Sequence, residues 1–108
     1  MKSDITYLEH ILEAINTIEA YLKDVSYEEF ASNKMIIDAV IRELEIIGEA
    51  ANNLSKKFTK DNSEFPARDA IDMRNFLTHE YFGVNTKILW ETCKNDLPET
   101  KRFLQSYL

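Results

Sequence analysis

The chain has 108 residues, 44% of them hydrophobic, and a formal net charge of −6. This length supports a hydrophobic core without disulfides or structural metals, and the single cysteine, Cys93, has no partner for an internal disulfide. The acidic balance argues against a general nucleic-acid binder, which is usually basic, although it suits a basic protein partner and leaves room for an RNA enzyme with a local positive cleft.

The sequence has no signal-peptide pattern and no apolar run long enough to be a transmembrane helix. The first residues, Met1 to Asp4, lead directly into a charged amphipathic segment. One unpaired cysteine suits a reducing compartment. We therefore expect a cytoplasmic protein that folds as one domain over residues 1–108 and does not contact a membrane.

Two helices are predicted at the start of the chain. Apolar residues recur at helical spacing across residues 5–22, and Ser3 or Asp4 can cap this first helix. Ser26 and Glu29 fit a capping box, in which the serine caps the helix and the glutamate reaches back. The capping box predicts a short second helix.

A long helix is predicted next, with Ser32 or Asn33 as its cap. Apolar residues from 35 to 54 cover so much of its circumference that we expect it to be the central helix of the fold. Gly48 lowers the helix propensity of this segment, but it allows another backbone to approach closely.

The C-terminal half continues the helical pattern. Residues 56–64 are polar and rich in turn formers, so we interpret them as a loop. Pro66 suits the first turn of a further helix, Asn85 can cap the next one, and the segment 96–99 resembles a fresh helix start. Because no segment alternates like a strand, we predict an all-α antiparallel bundle of about five to six helices.

The segment from Arg74 to Tyr81 carries the most chemistry. Arg74 keeps its charge and can grip a phosphate with two hydrogen bonds. His79 can donate or accept a proton near neutral pH, and Asn75 offers an amide to a phosphate oxygen or to the imidazole. These groups suffice for RNA cleavage without a metal.

The spacing of these residues constrains the site. Arg74 and His79 are five residues apart, which at ~100° per residue places them about 140° apart on a straight helix. Asn75 and His79, four residues apart, would meet. Either the helix ends or distorts before His79, or a second copy of the chain completes the site around a twofold axis.

The pattern of Arg74 and Asn75 followed by His79 resembles the signature of HEPN-domain ribonucleases. Its continuation to Tyr81 resembles the HepT toxins of HepT–MntA toxin–antitoxin systems. Residues 39–50 are similar to the central helix of that family, and residues 95–98 to the segment before its last helix. The resemblance covers nearly the whole chain and implies a HEPN-like homodimer with a shared cleft.

The resemblance and the chemistry agree on a metal-independent endoribonuclease without a cofactor. The 2′-hydroxyl of RNA would attack the adjacent phosphorus and leave a 2′,3′-cyclic phosphate. Arg74 would stabilise the charge that develops on the phosphate, and His79 would act as base or acid. Arg68 is a further candidate contact for RNA phosphate.

Tyr81 has a role only through the resemblance. In HepT toxins the matching tyrosine receives AMP groups from an MntA nucleotidyltransferase, which is the antitoxin. A nucleotide attached near His79 would repel and occlude the RNA phosphate. Without the resemblance, Tyr81 would be an ordinary core or rim aromatic.

Plainer interpretations remain open for several residues. Arg74 could pair with Asp72 or Glu80, and His79 could cap a helix end. Among the other polar groups, His10 is expected to be solvated, Asp38 and Arg42 to form an ion pair or lie beneath the cleft, and Cys93 to be a core residue.

Metal binding is not expected, because the two histidines are far apart and no cysteine cluster is present. Two alternative functions also remain. One is a noncatalytic helical module that binds a nucleotide or a nucleotidyltransferase partner, and the other is a plain dimerisation domain.

Overall fold

The computed structural model describes residues 3–79 and 83–108, and every regular element in these ranges is helical. The elements are α1 (Asp4–Leu22), α2 (Tyr27–Ala31), α3 (Lys34–Asn52), α4 (Lys56–Asp61), α5 (Ala67–His79), α6 (Thr86–Glu91), a π-helical turn (Thr92–Asp96) and α7 (Leu97–Tyr107). Because α6, the π-helical turn and α7 follow one another without a break, the described residues form six helical segments. The predicted all-α bundle of about five to six helices is confirmed, and none of the described helices is long and apolar enough to span a membrane.

The predicted caps open the first helices. Ser3 accepts a hydrogen bond from the Thr6 backbone N–H at the start of α1. At α2 the capping box is complete, with the Glu29 N–H donating to Ser26 Oγ at 3.1 Å and the Ser26 N–H donating to Glu29 Oε1 at 3.2 Å. Asn33 is the cap of α3. These side chains satisfy N–H groups that have no partner within the helix, and they fix where each helix begins.

Helix α3 is the central helix, as its broad apolar surface predicted. It packs most extensively against α5 and α1. Its buried residues are Val40, Leu44, Ile47, Gly48, Ala50 and Ala51. On α1 the residues facing α3 form the apolar stripe that the periodicity indicated, including the fully buried Leu8, Ile11 and Ile15. The core therefore lies where α1 and α3 meet the shorter helices α2, α6 and α7, which contribute the buried Phe30, Leu89 and Leu104. Helix α5 packs against α3 and buries only Ala67 and Leu77.

Gly48 sets the distance between α3 and α5. A Cβ atom built on Gly48 would lie 2.2 Å from the Cβ of Arg74 and 2.7 Å from the backbone oxygen of Ala70. Both distances are shorter than any real carbon contact, so only glycine permits this approach. The close contact predicted from the sequence is confirmed, and the helix that comes close is the one that carries the arginine of the motif.

The expectation of a loop across residues 56–64 was wrong for its first part, because α4 occupies Lys56–Asp61. Ser55 caps this helix by accepting from the Phe58 N–H at 3.0 Å. Phe58 is its only buried residue and packs edge to face against Phe65, with the ring centroids 5.7 Å apart. One apolar residue in a polar stretch gives no periodicity, so the helix is stabilised by its cap and by tertiary packing.

The expected helix start near Asp96 is confirmed in position, since α7 begins at Leu97, but the expected cap is not formed. Asp96 has helical backbone angles and makes no side-chain capping bond. The π-helical turn joins α6 to α7 instead, so Pro98 lies in the first turn of α7 without ending the preceding helix. A π-helical turn contains one extra residue and shifts the hydrogen-bond pattern of the backbone. Proline has no N–H to bond, and it is tolerated here because it lies in the first turn of α7.

Candidate functional site

Arg74 is held by α3 at two points. Its side-chain stem packs against Gly48, and its Nη1 donates to the Glu49 carboxylate at 2.8 Å. The side chain is only 27% exposed, and its Nε has no hydrogen-bond partner within the described residues. Burial and the bond to Glu49 fix the guanidinium on a rigid scaffold, which is what binding an anion in one orientation requires.

The sequence offered Asp72 or Glu80 as surface partners for Arg74. Asp72 instead accepts from Arg68, with Nε and Nη2 at 3.0 and 2.8 Å from the same oxygen. Glu80 lies outside the described residues. Arg74 therefore belongs to the interface between α5 and α3, and among the described residues it forms no ion pair along α5.

An open groove of about 700 Å³ runs beside Arg74 between α1, α3 and α5. The residues that line it are Tyr7, His10, Arg42, Glu45, Ile46, Glu49, Ala50, Asn53, Arg74 and Thr78. Two arginines and a histidine give it hydrogen-bond donors for an anion, and two glutamates balance the charge of the arginines. The groove is therefore less acidic than the chain as a whole.

His79 is the last residue of α5, and its side chain is exposed. Its Nδ1 lies 2.8 Å from the backbone carbonyl oxygen of Asn75. Because a carbonyl only accepts, Nδ1 carries the hydrogen, and Nε2 holds the free lone pair of the neutral ring. The predicted contact between Asn75 and His79 exists, but it is made by the backbone carbonyl of Asn75. The side-chain amide of Asn75 is not part of this hydrogen bond.

Within one chain, Arg74 and His79 do not meet. Helix α5 continues through His79, so it neither ends nor distorts before that residue. The two side chains therefore point about 140° apart around the helix, and the groove beside Arg74 is lined by Thr78 but not by His79. Of the two arrangements that the spacing allowed, a helix that ends or distorts before His79 is wrong, and a site completed by a second copy stays a prediction.

Asp38 and Arg42 do not form the ion pair that their spacing predicted. Asp38 pairs with Lys34 at 2.8 Å and not with Arg42, because Lys34 also lies four residues away and takes the carboxylate. Arg42 lines the groove instead. Arg68 is engaged by Asp72 outside the groove, so an RNA contact at Arg68 stays a prediction.

The remaining candidates are Tyr81, Cys93 and a possible group of metal ligands. Tyr81 lies outside the described residues, so its modification stays a prediction. Burial raises the pKa of the Cys93 thiol to about 12, so this residue is a protonated core side chain and no nucleophile. In the described part of the chain, no three His, Cys, Asp or Glu side chains are grouped to hold a metal ion.

Sequence reasoning missed Glu45 and Glu49 beside Arg74, and it considered Arg42 only as an ion pair of Asp38 or as a residue beneath the cleft. Glu49 and Arg42 lie seven residues apart on α3, with Glu45 between them, so the three share one helix face. A polar stripe on a helix that is otherwise apolar was the available signal. Tyr7 and His10 gave no comparable signal, because only the packing of α1 beside α3 brings them to the groove.

Known proteins provide independent evidence on the family. The model of the family described as "Ribonuclease HepT-like" matches residues 11–107. "Probable ribonuclease HepT" of Thermococcus cleftensis is 44% identical over 100 residues, which cover 93% of this chain and 91% of that protein. "Putative RNase TTE0752" of Caldanaerobacter subterraneus subsp. tengcongensis is 41% identical over 108 residues, or 100% of this chain and 96% of its own length.

A longer relative carries a similar region. "Gamma-glutamylcyclotransferase and putative RNase MJ0434" of Methanocaldococcus jannaschii is 43% identical over 102 residues, which cover 94% of this chain but only 46% of that protein. No solved structure matches the chain. The family match spans most of the chain, including helix α5, which carries both Arg74 and His79. The resemblance noted in the sequence is therefore confirmed, and the chain belongs to the HepT-like ribonuclease family.

Proposed function

We propose that this protein is an endoribonuclease toxin that cleaves RNA without a metal ion. The observation that carries the proposal is the fixed Arg74, seated on Gly48 and bound to Glu49 beside an open groove. Membership of the HepT-like ribonuclease family supports the same reaction, as do the printed names of the relatives.

In the proposed reaction the 2′-hydroxyl of RNA attacks the adjacent phosphorus and the 5′-oxygen leaves. Arg74 stabilises the charge that grows on the nonbridging oxygens. His79 takes the 2′-hydroxyl proton through Nε2, or in its protonated form gives a proton to the leaving oxygen. The Asn75 side chain donates to a phosphate oxygen. The products are a 2′,3′-cyclic phosphate and a 5′-hydroxyl, and DNA is resistant because it lacks the nucleophile.

The active form in this proposal is a homodimer. His79 lies on a different face of α5 from Arg74, so each site takes its arginine from one chain and its histidine from the other. A twofold axis beside α5 produces two such sites in one cleft. Arg68, which is exposed on the same helix, is the candidate for a phosphate farther along the RNA.

The cleavage reaction can be tested on a mixed RNA pool in the presence of EDTA. We expect wild-type protein to produce fragments with cyclic-phosphate ends, and His79→Ala to lower the cleavage rate by roughly 100-fold or more, because acid–base catalysis contributes about 10² to 10⁴. Mass spectrometry of the fragment ends identifies the chemistry. Circular dichroism of His79→Ala serves as the folding control, and His79 is exposed, so its loss leaves the core intact.

Two results would count against this reaction. Cleavage that EDTA abolishes would replace it with a metal-dependent mechanism. An inactive wild-type protein, shown by mass spectrometry to carry no AMP, would remove the case for catalysis.

We further propose that Tyr81 is the point of control by an MntA-like nucleotidyltransferase antitoxin. Incubation with such an enzyme and ATP should add the mass of AMP to wild-type protein and stop RNA cleavage. Tyr81→Phe should stay unmodified and active under the same conditions, because it lacks the hydroxyl that forms the phosphodiester. AMP found on another residue, or cleavage that continues after Tyr81 is modified, would contradict this role.

A noncatalytic module that binds a nucleotide or a nucleotidyltransferase is the second candidate. It is favoured by one observation, that the groove beside Arg74 contains no His79 within one chain. A nucleotide complex that needs Arg74, formed by a protein that never cleaves RNA, would support this alternative over the toxin.

A further inference from the structure

The groove beside Arg74 has a second wall that the proposed reaction leaves unused. Tyr7 and His10, one turn apart on α1, form an edge-to-face pair with ring centroids 6.4 Å apart and an interplanar angle of 86°. The His10 side chain is exposed, and Tyr7 is half-buried. Both residues line the same groove as Arg74.

Arg42 on α3 completes this wall. Two acidic residues lie near Arg42 by helix spacing. Asp38 is bound to Lys34 at 2.8 Å, and Glu45, which also lines the groove, accepts from Thr78 Oγ1 at 3.5 Å. No ion pair of Arg42 occurs within residues 3–79 and 83–108. Glu49 is bound to Arg74. Arg42 is therefore an exposed guanidinium that points into a groove without a carboxylate bound to it, which suits a phosphate.

The size of the groove exceeds what one phosphate needs. At about 700 Å³ it falls within the range of roughly 300–1,000 Å³ that small-molecule sites occupy. Aromatic rings next to arginines are the combination that binds single-stranded nucleic acid, because every base has a face that stacks and every nucleotide a phosphate.

We propose that Tyr7, His10 and Arg42 form a subsite for a nucleotide next to the phosphate bound by Arg74. Arg42 binds the flanking phosphate, and the rings of Tyr7 and His10 contact the adjoining base. This inference rests on the proposed function, since it assumes that the ligand of the groove is single-stranded RNA. It assigns a role to His10, which was expected to be a solvated residue without a function.

The test uses full-length protein with His79→Ala, so that cleavage does not interfere, and a fluorescein-labelled 2′-O-methyl RNA of mixed sequence. Fluorescence anisotropy measures the Kd for this RNA at several salt concentrations. The His79→Ala protein is compared with double variants that also carry Arg42→Ala or His10→Ala. Arg102→Ala and Asn16→Ala are the matched controls, because both residues are exposed on helices and neither lines the groove.

We expect Arg42→Ala to weaken binding by about 10-fold and His10→Ala by about 3- to 10-fold, with no change in the controls. Loss of one phosphate contact should also reduce the slope of log Kd against log salt by about 0.7, the value for a single strand. A merely structural role of Arg42 would leave this slope unchanged. Thermal unfolding followed by circular dichroism checks that each variant is folded.

Three outcomes would overturn the subsite. The subsite is wrong if both variants keep the Kd and the salt slope of the His79→Ala protein while the wild-type protein cleaves RNA. The proposed function would then still stand. Weaker binding that follows only from loss of self-association, measured by sedimentation, would make this wall a contact between copies. Absence of RNA binding and of RNA cleavage would overturn both the subsite and the proposed function.

Discussion

Mixing Arg74→Ala chains with His79→Ala chains is expected to restore RNA cleavage to about a quarter of the wild-type rate, although each variant is inactive by itself. Half of the dimers formed by random exchange contain one chain of each kind. If each site takes Arg74 from one chain and His79 from the other, such a dimer has one site with both residues intact. One intact site out of two, in half of the dimers, gives the expected fraction.

The expectation follows from the geometry of α5. The helix is regular through His79, so its turn of 100° per residue separates Arg74 and His79 by about 140°. Arg74 cannot rotate toward His79, because Gly48 and Glu49 hold its stem and its guanidinium against α3. The hydrogen bond from His79 to the Asn75 carbonyl holds the imidazole as well.

Chains carrying two different affinity tags provide the measurement, with sequential purification to isolate the mixed dimer. Exchange of each variant with itself is the control and should give no activity. If the isolated mixed dimer is inactive, each site uses both residues of a single chain, and the shared cleft is wrong.

Much of the fold could be predicted because it depends on local signals. The side chains of Ser3, Ser26, Asn33 and Asn85 cap the helices they were expected to open. The central place of α3 followed from the breadth of its apolar surface. Local signals failed where packing decides the structure. Helix α4 has one buried residue and so shows no periodicity, and Asp96 follows a π-helical turn and does not cap α7, although its sequence is typical of a cap.

The site was harder to predict than the fold. The motif identified Arg74 and His79, but helix geometry left two arrangements open, a helix that ends or distorts before His79 or a site completed by a second copy, and only the regular α5 excludes the first. The partner of Arg74 was not predictable from helix spacing, because Glu49 is 25 residues away and is brought near by the approach at Gly48. The same holds for His10, since only tertiary packing places α1 beside the groove.

The substitution Gly48→Ala is expected to lower the free energy of unfolding by about 1–2 kcal/mol and to reduce RNA cleavage. Alanine would favour the helix itself by up to ~1 kcal/mol. The new Cβ, however, would lie 2.2 Å from the Arg74 Cβ and 2.7 Å from the Ala70 oxygen. Backbone cannot yield as a flexible side chain can, so α3 and α5 must separate, at the cost typical of an overpacked core.

The three atoms that clash, which are the Arg74 Cβ and Cγ and the Ala70 oxygen, make the prediction specific. Because Arg74→Ala removes only the Cγ, which is the most distant of the three at 2.9 Å, combining it with Gly48→Ala should relieve little of the strain, whereas Arg74→Gly should relieve more. Urea unfolding of the single and double variants measures this coupling, and Ala20→Gly on the exposed face of α1 reports helix propensity alone. If Gly48→Ala leaves stability unchanged, the helices do not approach as closely as described, and Arg74 loses the contact that holds it beside the groove.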